Sequence, residues 1–162
     1  MDPKYFSRDT QDLLKLLYEF KVRYVIVGGE AVIYYGYPRL TGDLDIFYEA
    51  ETRNAKKLFN ALMQFWGGKI PDIKSFKEFL KKGIIIQFGA PPNRIDLINT
   101  LTGISFNEAW KDKVREKLVI EGKTYMVYFI GLDALIKNKR ALSRPKDMDD
   151  LIYLEKKKRS HT

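Results

Sequence analysis

The sequence predicts an α/β fold of the α+β kind, a short mixed sheet flanked by helices, and three observations carry that prediction. Apolar residues recur at helical spacing near the N-terminus, as at Leu13, Leu14, Leu17 and Phe20. Short β-branched runs such as Tyr24–Val27 end at glycines. Strand and helix patterns then follow one another in mixed order, with no strict alternation.

Taken in order, residues 8–21 form an amphipathic helix for which Thr10 is the expected N-cap. Tyr24–Val27 is a strand that stops at Gly28-Gly29, and residues 30–35 have the composition of a helix. A loop over 36–42 containing Pro38 leads to a second strand at 43–48 and a helix at 52–65. A further helix is expected at 75–82. The stretches GIIIQFG and RIDLINT are strands joined as a hairpin across Pro91-Pro92. Residues 106–110 are briefly helical, and KLVIEGKTYMVYFI gives two strands about a turn at Glu121-Gly122-Lys123. Helices at 133–142 and 146–158 close the chain as a C-terminal pair broken at Pro145.

With 162 residues and no repeat or low-complexity linker, the chain is expected to form one domain, 1–162. Cysteine is absent, which excludes disulfides, zinc-thiolate sites and thiol nucleophiles. No signal-like or membrane-spanning run is present, so a cytoplasmic protein with no membrane partner is expected. The net charge of +8 favours anionic partners, and residues 137–159 carry nine basic residues against four acidic ones.

Asp43 and Asp45 stand in a segment otherwise suited to burial. Alternation on a strand points both to one face, with Leu44 and Ile46 on the other. Asp96 lies in a second apolar run. Should the two strands be neighbours, three carboxylates converge, and hard oxygen donors of that kind suit magnesium or manganese. The plainer reading hydrates the first pair or matches it with Arg39, and matches Asp96 with Arg94. Gly28-Gly29 sits where a strand meets a helix, a place at which backbone N–H groups can meet phosphate. Other signatures fail: Glu30 and Ile33 stand where a dinucleotide fingerprint wants glycine, and Gly67-Gly68-Lys69 is followed by Ile70. The one histidine, His161, lies in a basic tail. Tyr34, Tyr35, Tyr37, Phe47 and Tyr48 near this segment are read mainly as packing.

Gly28-Gly29, the run Arg39-Leu-Thr41-Gly-Asp43-Leu-Asp45, and Asp96 on a later strand together resemble the polymerase-beta-like nucleotidyltransferase superfamily. The closing segment LIKNKRALSRPKDMDDLIYL is similar to the ending of its small prokaryotic branch, which includes abortive-infection toxin-like members. That resemblance implies a metal-dependent transfer of a nucleoside monophosphate from an NTP to a hydroxyl of a protein or RNA acceptor, with no DNA partner. It assigns two magnesium or manganese ions to Asp43, Asp45 and Asp96, the catalytic set. It assigns nucleotide contacts to Gly28, Gly29, Thr41, Lys139 and Arg144. The superfamily commonly has Ser where Gly29 stands, and Glu30 follows; a Glu30–Arg39 ion pair is expected to keep that carboxylate from the phosphates. Two other readings stand beside it. One is a catalytically silent nucleotide-binding or toxin–antitoxin partner of the same fold; the other is RNA docking by the basic C-terminal block.

Overall fold

The computed structural model describes residues 1–161. Its core is a six-stranded mixed sheet built from β1 (Tyr24–Val27), β2 (Asp43–Tyr48), β3 (Ile85–Phe88), β4 (Arg94–Ile98), β5 (Val114–Ile120) and β6 (Lys123–Phe129). The strand order is β3-β4-β2-β1-β6-β5. β1 and β2 are antiparallel, whereas β2 and β4 run parallel, as do β1 and β6. The hairpins β3–β4 and β5–β6 form the two edges.

Helices cover both faces. Tyr24 and Ile26 of β1, with Leu44 and Ile46 of β2, pack beneath α1 (Arg8–Glu19) and α3 (Thr52–Phe65). Val25, Val27 and Phe47 pack on the other face, where α2 (Gly28–Tyr34), α4 (Phe106–Lys111), α5 (Leu132–Leu142) and α6 (Pro145–Ser160) lie. Central strands buried on both faces explain the continuous apolar run YVIV. Among the described residues no helix is long and apolar enough to cross a membrane.

Three local expectations change. Ser7, not Thr10, caps α1: its side chain accepts the Thr10 N–H, and Thr10 is buried in the first turn. The segment expected as a helix at 75–82 is a five-residue 3-10 helix, Phe76–Leu80, started by a Ser75/Glu78 capping box. No turn separates β1 from α2. The helix begins at Gly28, whose φ of +66° makes the joint in a region that a side chain resists.

Candidate active site

The parallel pairing of β2 with β4 places Asp45 opposite Asp96 and Asp43 opposite Arg94. All four point to the face carrying α2, α5 and α6, because their neighbours Leu44, Ile46, Ile95 and Leu97 fill the opposite core. One carboxylate oxygen from each of Asp43, Asp45 and Asp96 lies within 4.8 Å of the others.

A guanidinium stands among them. Arg94 donates from Nε to Asp96 Oδ1 at 2.9 Å and from Nη2 to Asp96 Oδ2 at 3.1 Å and Asp43 Oδ2 at 3.0 Å. Asp45 has no such cation bond. Burial first, then the charges of Asp43 and Asp96, push its carboxyl up to about 7, against the weaker pull of Arg94. A cluster of hard oxygen donors that forces one member toward neutrality fits a divalent cation, which would relieve the crowding. Asp43, Asp45 and Asp96 are the residues that could hold one.

The glycines are required by close approach. A Cβ on Gly28 would stand 2.2 Å from Asp45 Oδ2, and one on Gly29 would stand 2.8 Å from Thr41 Oγ1. Either carbon would force the facing side chain to shift. Thr41 in turn donates its hydroxyl to the Asp43 carbonyl at 3.2 Å, fixing the end of the 36–42 loop against β2. Gly28 therefore adjoins the Asp45 carboxylate, while Gly29 packs on Thr41, which is tied to the backbone of Asp43.

Residues 8–156 match the family model described as nucleotidyltransferase of unknown function (DUF6036). The chain belongs to this family. A search of curated proteins finds no match.

In this DUF6036 member the two basic residues expected at the nucleotide are differently situated. Lys139 is 3 % exposed, and its Nζ lies 3.1 Å from Asp147 Oδ1 and 3.0 Å from Asp150 Oδ2. Its ammonium faces α6, not an open cleft. Arg144 is half exposed and bonds Asp147 through Nε at 2.5 Å and Nη2 at 3.3 Å. That hydrogen bond first, then the charges of Asp147, Asp150 and Asp45, raise the Arg144 pKa.

The expected Glu30–Arg39 pair does not form. Glu30 accepts the Tyr5 hydroxyl at 3.0 Å, while Arg39 bonds Asp150 across 111 residues of sequence. Burial, opposed in part by that hydrogen bond and reinforced by Asp43, raises the Glu30 carboxyl. Glu30, Tyr5, Asp43, Asn93 and Arg94 are among the residues lining a cleft of about 120 Å³ beside the triad. The aromatics do pack: Tyr34 stacks on Phe129 at 4.1 Å between centroids, Tyr37 meets Tyr153 edge-on, and the buried Tyr48 donates to the Phe79 carbonyl.

From the sequence Arg94 is expected only to pair with Asp96, and Asp147 and Asp150 enter only as part of the closing segment that carries the resemblance. The signals existed. Arg94 precedes Asp96 by two on a strand and so shares its face, and Asp147 with Asp150 recur at i,i+3 on a helix.

Proposed function

We propose that this family member transfers a nucleoside monophosphate from an NTP to a hydroxyl of a protein or RNA acceptor. The observation that carries this reading is the convergence of Asp43, Asp45 and Asp96 against a glycine joint at which an added Cβ would press on Asp45 and Thr41. In the reaction the acceptor hydroxyl gives up its proton, which Asp96 would help take, its oxygen forms a bond to the α-phosphorus, and the bond from that phosphorus to the bridging β-phosphate oxygen breaks. Pyrophosphate leaves with that electron pair.

Asp43, Asp45 and Asp96 would hold two magnesium or manganese ions, which supply charge neutralisation and a lowered pKa for the acceptor hydroxyl. Gly28 and Gly29 would let the backbone close on phosphate oxygens beside Asp45, and Thr41 keeps the loop end against β2. Arg144 adds a planar donor at the same mouth. An RNA acceptor is favoured by the basic final turn of α6, which carries Lys157, Lys158 and Arg159.

The test is to supply NTPs labelled in turn at the α- and γ-phosphate, with manganese and cell extract. Transfer of α-label alone supports the reading. Transfer of γ-label alone makes the protein a phosphoryltransferase and contradicts it.

A further inference from the structure

Five charged residues from three elements form one connected group behind the glycine joint. Lys139 on α5 touches Asp147 and Asp150 on α6. Asp150 holds Arg39 of the 36–42 loop, and Asp147 holds Arg144 at the start of α6. The side chains of Lys139, Asp147 and Asp150 are 4 %, 0 % and 2 % exposed, whereas those of Arg39 and Arg144 are 23 % and 52 % exposed. The anions are therefore inside and the guanidiniums face out.

Three cations against two anions leave the group with an excess positive charge, and that excess is displayed at the site. The Arg39 Cζ lies 3.8 Å from where a Gly29 Cβ would stand. Asp150 uses one Nη of Arg39, and no other protein acceptor meets that side chain among the described residues. Arg offers five N–H donors in a planar fork, so most of Arg39 is available to oxygens above Gly29.

We propose that Arg39 is a triphosphate-binding residue, and that Lys139 is a positioning residue that fixes Asp150 and Asp147 so that Arg39 and Arg144 close on the same anion. The assignment rests on the nucleotide-transfer reading and extends it to a side chain that the motif comparison left unassigned. It also gives the buried ammonium of Lys139 a role that needs no contact with ligand. Buried carboxylates hold a guanidinium more rigidly than solvated ones, because both partners have lost competing water.

The experiment is calorimetric titration of inorganic tripolyphosphate, in the presence of manganese, into the wild type, Arg39→Gln, Lys139→Met, Lys139→Arg and the Arg39→Gln/Lys139→Met pair. Arg39→Gln is expected to weaken binding by about 10- to 100-fold, the range for charge-assisted hydrogen bonds. Its KM for NTP rises more than its kcat falls. Lys139→Met weakens binding too, the double variant is no weaker than the sum of the two allows and falls short of it, and Lys139→Arg restores part of the loss. Should Lys139→Met fail to fold, Arg39→Gln still decides the matter, since that side chain is partly exposed. Tripolyphosphate binding by Arg39→Gln equal to wild type overturns the inference and leaves the proposed function standing. Absence of binding by the wild type overturns both.

Discussion

Asp45 of β2 and Asp96 of β4 are direct partners across a parallel pair of strands. Burial disfavours the ionised form of Asp45, and the charges of Asp43 and then of the facing Asp96 add to that, so its carboxyl is raised to about 7. Asp45→Asn should therefore stabilise the metal-free protein, by about 1–2 kcal/mol at pH 8 once partial exposure is allowed for. Urea denaturation with a chelator present measures it. The same variant should lose manganese binding.

The pH dependence follows with a definite sign. Asp45 keeps its proton in the folded chain up to about pH 7 but loses it near its ordinary value of 3.8 when unfolded. Between these values the folded state binds more protons, so stability falls as pH rises through that window. Glu30, raised in the same direction, adds to the slope. Denaturation midpoints at pH 5 and pH 8 in chelator should show this fall, and saturating manganese should flatten it.

Arg94 reaches the oxygens a divalent ion would use. Arg94→Gln should lower the denaturation midpoint of the metal-free protein, because Asp43 and Asp96 lose their counter-charge. It should also tighten manganese binding, because the competing cation is gone. Calorimetry of manganese against wild type and Arg94→Gln reads the second effect directly.

Gly28→Ala tests the glycine joint. The left-handed backbone at φ +66° costs a side chain about 1–2 kcal/mol. Its Cβ would also collide with Asp45 Oδ2 at 2.2 Å. A folded but destabilised protein with manganese affinity reduced at least as far as in Asp45→Asn is expected, by circular dichroism and calorimetry.

Away from the site, Asn99 binds the hairpin to the 3-10 segment. Its amide accepts the Gly83 N–H at 2.9 Å and donates to the carbonyls of Phe79 at 3.1 Å and Lys81 at 2.9 Å. Asn99→Ala leaves the Gly83 N–H and the Lys81 carbonyl without these partners, while the Phe79 carbonyl keeps the Tyr48 hydroxyl, and should cost about 2–3 kcal/mol in thermal or urea unfolding.

Local patterns carried most of the elements. β1, β2 and α3 stand where the apolar runs, the turn residues and the helical periodicity put them, because their signals come from adjacent residues. The facing of Asp43 and Asp45 was legible for the same reason. That Asp96 lies opposite Asp45 was not, since a parallel pairing between β2 and β4 has no local signature and depends on what the intervening helix covers. The α1 cap was missed because Ser7 and Thr10 are both competent, and only burial of Thr10 decides between them. Lys139 could be placed on a helix from sequence, but the burial of its ammonium depends on Asp147 and Asp150 arriving from the next helix. Glu30 and Arg39 are close in sequence and of opposite sign; Tyr5 and Asp150, from distant segments, take them instead.

The account is tested most directly by titrating manganese into the wild type and into Asp43→Asn, Asp45→Asn and Asp96→Asn, following bound ion by electron paramagnetic resonance. Saturable binding in the wild type, lost or severely weakened in each of the three variants, is the predicted result. Equal binding in all four proteins, or none in any, would contradict it.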